Sequence, residues 1–245
     1  MKSVLISISV YTFLVFFSLQ SHAQNVSKSY NTLDLSIAAG KGFSPALSYA
    51  RLWKIGKSNH FRIGLGARLT SFWASDFEAR TAPAKLTSGK ESLAALFSED
   101  IIANIDTFKL SKVQTNALNA TLYLQYSLSQ KFEFGMNIDL LGFTFGGQQS
   151  GYFIANSLGN SVNGQKSAAS PSSFNALLIS DSDYGSLNSE LYGRYWLNDR
   201  FGIRAGLSFQ FVEYKTDKKV TVANTDNDRW RGKILMPMVA ICYKF

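Results

Sequence analysis

The stretch FGIRAGLSFQF, residues 201–211, alternates apolar and polar residues along its whole length. The stretch LNATLYLQYSL, residues 118–128, shows the same alternation. Successive side chains of a β-strand point to opposite faces, so a period of two gives a strand one apolar and one polar face. Both stretches are therefore predicted to be strands with one face buried away from water.

The same alternation recurs often enough to predict an all-β chain with eight strands. They run near residues 31–39, 45–54, 61–74, 113–128, 132–147, 184–197, 201–214 and 229–245. The links after the second, fourth and sixth strands are short, whereas three others are predicted to be long loops: 75–112, 148–183 and 215–228. In a meander, alternate links lie at the same end, so one end carries tight turns and the other long loops. This pattern predicts an eight-stranded antiparallel up-and-down β-barrel.

The first 23 residues are predicted to be a cleaved signal peptide rather than part of the fold. Lys2 precedes the apolar run 4–19, and Ser21-His22-Ala23 has the small residues that a signal peptidase requires. Cleavage between Ala23 and Gln24 would leave residues 24–245 as one exported domain. An uncleaved N-terminal anchor is the alternative.

The composition excludes several classes of protein. Of the 245 residues, 46% are hydrophobic, 17% charged and 14% aromatic, which is unlike a disordered chain. A single cysteine excludes an intrachain disulfide. The formal charge is +8, but the nearest approach to a basic run, residues 215–219, is short and contains an acid. Nucleic acid is therefore not an expected partner.

Alternation alone does not say which face points outward. On the apolar faces, aromatic residues cluster near the short turns, where they would form a girdle at a membrane interface: Phe61, Tyr126, Phe132, Tyr195 and Phe201. The polar faces carry charges of both signs, which are expected to form a network in the lumen: Arg62, Arg68, Glu133, Asp139, Glu190, Arg194 and Arg204. Both features favour a transmembrane barrel with a polar interior. A soluble ligand-binding barrel, with the apolar faces inward, is the alternative.

The second strand fits the transmembrane interpretation least well, because one of its two registers would turn Arg51 towards lipid. We expect the opposite register, with Ala46, Ser48, Ala50 and Leu52 outward.

The last strand alternates up to its final residue and ends in Tyr243-Lys-Phe245. A final aromatic residue with another two positions earlier resembles the signal by which barrel-assembly machinery recognises outer-membrane barrels. With the leader and the strand pattern, the chain resembles the small outer-membrane β-barrel proteins common in Bacteroidetes-type bacteria, related in architecture to the OmpA and OmpW types. This resemblance implies an outer-membrane location, short periplasmic turns, long extracellular loops and contact with the assembly machinery during insertion.

No constellation of residues points to catalysis. His60 is the one histidine after the leader, and it falls in a short turn where a serine nucleophile would lack a base. Asp139 and Glu190 are expected to neutralise arginines rather than act as an acid pair. Cys242 is expected to be a small buried lumen residue. No enzyme activity, metal site or cofactor is predicted.

Three functions are compatible with this sequence. The first is a structural or surface-interaction role with a lumen filled by side chains. The second is a narrow pore, or an OmpW-like passage for small or apolar solutes, and the third is an exported soluble ligand-binding barrel. Residues 88–105 resemble a capped amphipathic helix at the barrel mouth, and lipopolysaccharide or a surface partner could meet the loops.

Overall fold

The computed structural model describes residues 29–56, 60–88, 99–156, 161–178 and 183–245. The predicted signal peptide and its cleavage position at Ala23–Gln24 lie outside these ranges. Within them, no helix is both long and apolar enough to span a bilayer.

The described chain is built almost entirely from strands. They are β1 (Ser29–Ala39), β2 (Phe43–Ile55), β3 (Phe61–Thr81), β4 (Thr107–Ser127), β5 (Phe132–Phe145), β6 (Gln149–Ile154), β7 (Lys166–Pro171), β8 (Phe174–Ala176), β9 (Leu187–Trp196), β10 (Phe201–Val222) and β11 (Thr225–Lys244). A short helix, α1 (Ala84–Thr87), and a 3-10 turn (Ile102–Asn104) lie between β3 and β4.

Eight of these strands pair into a closed ring in the order β1–β2–β3–β4–β5–β9–β10–β11, and β11 pairs back with β1. Every pairing is antiparallel. The ring contains a strand at each of the eight predicted positions. The predicted fold class, an eight-stranded antiparallel up-and-down barrel, is confirmed.

The barrel wall is apolar outside and polar inside. Leu65, Leu191 and Ile241 are 54%, 63% and 62% exposed, whereas Arg68 and Asp139 are fully buried. Burying a leucine side chain is worth about 1.5–3 kcal/mol, so an exposed belt of such residues is unfavourable in water. The same belt is favourable in lipid, and the wall is therefore that of a transmembrane barrel.

The predicted register of the second strand is wrong. Ala46, Ser48, Ala50 and Leu52 face the lumen, and Arg51 lies outside with its neighbours Tyr49 and Trp53. The lumen needs small side chains on β2 because large arginines from other strands fill it. Arg51 is tolerated outside because it lies near the short turns, where a long side chain can reach the headgroups.

The three predicted long loops are shorter than expected, because strands continue through them. β3 extends to Thr81 and β4 begins at Thr107, so the first loop shrinks from 75–112 to 82–106. The segment 215–228 is a β10–β11 hairpin closed by Ala223 and Asn224, both with positive φ as a tight hairpin turn requires. The segment 148–183 contains β6, β7 and β8. Most of the predicted helix in 88–105 lies outside the described residues.

Beyond the β1–β2 turn the wall continues as a smaller ring of six strands. Its order is β3–β4–β6–β7–β10–β11, closed where Arg80 and Thr81 of β3 pair with Arg231 and Trp230 of β11. β6 continues the direction of β5, and β7 that of β9. The ring narrows from eight strands to six because the β1–β2 hairpin ends closer to the short turns than β3, β4, β10 and β11 do.

The interior of the six-stranded ring is apolar. Phe108, Phe153 and Trp230 pack with ring centroids 4.9–5.9 Å apart, and all three are buried. Phe77, Leu110, Tyr214 and Val222 complete this core, which we call the apolar cap. In the eight-stranded ring the apolar side chains point outward, whereas in the six-stranded ring they point inward. Outside the bilayer, the apolar residues turn inward as in a soluble protein.

Candidate functional site

Arg68 of β3 is fully buried in the lumen and is held by polar groups of β5 and β9. Its guanidinium is 2.6 Å from a carboxylate oxygen of Asp139 and 3.2 Å from one of Glu190. It also donates a 2.7 Å hydrogen bond to the amide oxygen of Asn137. Asp139 in turn accepts from Thr121 and Asn119 at 2.9 and 2.8 Å, so its charge is fully partnered.

A second group of ion pairs adjoins the first and joins side chains of β1, β3, β5, β9 and β10. Arg204 lies 3.0 Å from Glu190 and 3.3 Å from Asp34. Arg194 donates a 2.8 Å hydrogen bond to Asp34 and lies 3.6 Å from Glu133. Glu133 reaches Arg62 at 3.2 Å. The pairs therefore form one connected network across the lumen.

The seven charged residues predicted for the lumen all face inward and all belong to this network. Asp34 also belongs to the network, but the sequence pattern did not predict it. The signal was present, because the apolar residues Leu33, Leu35 and Ile37 point outward and so place Asp34 on the lumen face. With Asp34 the network holds four carboxylates against four guanidinium groups. Such a balance is what burial requires, since an uncompensated charge in the lumen would be costly.

The aromatic residues predicted for the girdle lie together near the short turns. Phe61 pairs with Tyr126 across strands, with ring centroids 4.7 Å apart. Phe132 pairs with Tyr195, and Phe201 pairs with Tyr243. Phe245 stacks on Tyr243 at 5.8 Å, so the predicted assembly signal adjoins the girdle.

A small cavity separates the ion-pair network from the apolar cap. It is lined by Asn119, Asp139, Asn188 and Phe211 among others, and holds about 20 Å³ of space for the centre of a water molecule. That volume suits about one water and excludes an organic solute.

Towards the long-loop end the outer wall carries a second group of aromatic residues, Phe43, Trp73, Phe209 and Phe211, which we call the outer aromatic level. A further charged cluster lies beyond this level on β10. Glu213 is fully buried and accepts hydrogen bonds from Arg229 at 3.0 and 2.8 Å and from Arg231 at 2.8 Å. Ser172 also donates to it at 2.8 Å, which ties the β7–β8 connection to β10. The sequence pattern missed this cluster because it assigned Arg229 and Arg231 to the start of a strand and gave Glu213 no partner.

Two opposing effects determine the pKa of the Glu213 carboxyl. Burial alone would raise the pKa of this carboxyl, but the hydrogen bonds from Arg229 and the charge of Arg231 outweigh it. The pKa therefore lies below its usual value, and Glu213 is ionised at neutral pH.

The remaining candidate groups have structural contacts. The Nδ1 atom of His60 lies 2.7 Å from the carbonyl oxygen of Ser127, and its ring stacks on Tyr126. Cys242 is buried on the lumen side of β11. In the parts of the chain that the structure describes, no three His, Cys, Asp or Glu side chains come together as a metal site would require.

No family model matches the sequence, and no curated protein matches it either. Similar solved structures include a major outer membrane protein from Thermus thermophilus (12% identity, 91% of this chain and 100% of that chain, TM-score 0.38). Others are OprG from Pseudomonas aeruginosa (11%, 89% and 96%, TM-score 0.37) and Ail of Yersinia pestis (12%, 89% and 97%, TM-score 0.35). Similarity at this level assigns neither a family nor an activity to the chain.

We predict that Asp34→Asn destabilises the barrel by about 3–5 kcal/mol, because it leaves two buried guanidinium groups short of one carboxylate. Urea unfolding in lipid vesicles, followed by the heat-dependent gel mobility of folded barrels, measures the change. Asp199→Asn in an exposed turn is the control and should change stability by less than about 0.5 kcal/mol. Equal effects of the two substitutions would contradict the importance of the network.

We also predict that the Glu213 carboxyl titrates below its usual value of 4.5. A lowered folded-state pKa means that the cluster stabilises the fold fully above the unfolded value and loses this contribution as pH falls through the folded value. The carboxyl carbon shift of Glu213 in an NMR titration gives the midpoint. Arg229→Gln should raise it towards 4.5, and a wild-type midpoint at or above 4.5 would refute the assignment.

Proposed function

We propose that this chain is an integral outer-membrane β-barrel that is closed to solutes and has a structural or surface-interaction role. The transmembrane wall supports the membrane location, and short turns at one end with extended strands at the other follow the usual periplasmic and extracellular arrangement. The Bacteroidetes-type resemblance of the sequence belongs to this proposal. Enzyme activity forms no part of it.

The observation that carries the proposal is that the lumen is blocked twice in series. The ion-pair network fills the membrane level, where Arg68, Arg194 and Arg204 are buried. The apolar cap, centred on Trp230, fills the level above it. A solute would have to displace both a paired charge layer and a packed aromatic layer.

The long-loop end is then the surface on which the protein acts. The six-stranded ring extends the wall beyond the membrane and holds the β10–β11 hairpin and the β6–β7 hairpin outward. We propose outer-membrane lipid and the barrel-assembly machinery as partners, with lipopolysaccharide or a surface partner at the loops.

We expect the refolded protein to be silent in single-channel recordings across a planar bilayer, with insertion scored by heat-dependent gel mobility. The double variant Arg68→Ala/Arg204→Ala should also be silent, because the apolar cap still closes the path. A steady current through the wild-type barrel would overturn the proposal in favour of a narrow pore. A current through the double variant alone would show that the cap does not seal.

A further inference from the structure

The short-turn end of the barrel carries an excess of positive side chains. We define the cationic rim as the lysines and arginines at or next to the short turns: Arg51, Lys54, Lys131, Arg200 and Lys244. Within the described ranges, Asp199 is the one exposed acidic side chain at this end. Glu133 is also near, but it is buried and pairs with Arg62.

The long-loop end shows no such excess. Its described residues in 40–42, 75–112, 146–187 and 212–234 contain twelve lysines and arginines against ten aspartates and glutamates. Many of these charges are paired, as in Arg80 with Asp100 and Glu213 with Arg229. Among the described residues, the net positive charge outside the lumen is therefore concentrated at the short-turn end.

The cationic rim adjoins the aromatic girdle. Lys131 immediately precedes Phe132, and Arg200 immediately precedes Phe201. The guanidinium carbon of Arg51 lies 5.8 Å from the ring centroid of Trp53. Because aromatic girdles settle at headgroup depth, the rim cations lie at the level of the lipid phosphates.

Lys244 extends the positive charge into the mouth of the lumen. Its ammonium lies 4.6 Å from the ring centroid of Trp196 and 5.7 Å from that of Tyr30. The four acids of the lumen network already balance its four arginines. Lys244 is a fifth cation, so the surplus charge of the lumen lies at this mouth.

We propose that the cationic rim binds the phosphates of anionic phospholipids in the leaflet at the short-turn end, in preference to zwitterionic ones. A lysine or arginine near an anionic membrane surface contributes about fivefold in affinity. Zwitterionic headgroups carry an ammonium group that cancels this attraction. In the proposed orientation the lipid belongs to the periplasmic leaflet. The preference itself does not depend on whether the lumen conducts.

Two exposed tryptophans at opposite ends allow a direct test. Trp53 lies beside the rim, and Trp73 lies in the outer aromatic level, next to Phe43. Trp73→Phe leaves Trp53 as the lipid-facing reporter, and Trp53→Phe leaves Trp73. Each variant is refolded into vesicles containing phosphatidylglycerol or phosphatidylcholine brominated on the acyl chains, and quenching gives the relative occupancy of lipid beside each reporter.

We expect Trp53 to show about a fivefold or greater preference for phosphatidylglycerol at low salt, and Trp73 to show little. The preference should disappear near 1 M salt, where the Debye length falls to about 3 Å. Arg51→Gln/Lys54→Gln, which removes the two rim cations on the strand that carries Trp53, should abolish it, whereas Lys41→Gln/Lys112→Gln at the other end should not. Equal quenching by the two lipids at Trp53, equal preference at both reporters, or a preference that survives high salt would overturn the proposal.

Discussion

The structure depends on the neutralisation of four guanidinium groups inside a barrel surrounded by lipid. A charge in such an interior is stable only when an opposite charge and hydrogen bonds replace the water that it lost. Asp34, Glu133, Asp139 and Glu190 supply that replacement, and they come from β1, β5 and β9. The network therefore connects strands that are distant in the sequence.

The size of arginine explains the small residues that share the lumen with it. β2 turns Ala46, Ser48 and Ala50 inward, so that side chains from the opposite wall can cross the lumen. Gly66 leaves room for its neighbours on β2 and β4, since a Cβ there would meet the backbone of Tyr49 and Ala50 and the ring of Tyr123. These small residues bury little surface themselves. They contribute by leaving space for larger neighbouring side chains.

The surrounding solvent decides which side chains fill each level of the barrel. In the membrane, lipid accepts the apolar face and the polar face fills the lumen. Beyond the β1–β2 turn, water replaces lipid and the apolar residues of β3, β4, β10 and β11 turn inward as the apolar cap. The same strands thus build a polar core and an apolar core in series, and together these close the lumen.

Much of this architecture follows from alternation, and the failures have physical causes. Period two located eight strands and the lumen arginines, because a membrane strand must keep one face apolar. It did not locate the register of β2, since the small alanine and serine side chains that alternate with Arg51 are compatible with either the lipid-facing or the lumen-facing side. Nor did it find the extension of β3 and β10. Beyond the bilayer these strands turn their apolar residues inward, so the face that is apolar outside in the membrane is no longer the apolar one. The Glu213 cluster depends on contacts between distant segments, which no local pattern contains.

The filled lumen can be tested without any substitution, because Cys242 is the single cysteine and lies buried on the lumen face. The rate at which a small water-soluble maleimide labels the folded, lipid-inserted barrel is compared with the rate for the chain unfolded in urea. A closed lumen predicts no labelling of the folded barrel while the unfolded chain reacts completely. Labelling of the folded barrel at a rate close to that of the unfolded chain would contradict a closed lumen.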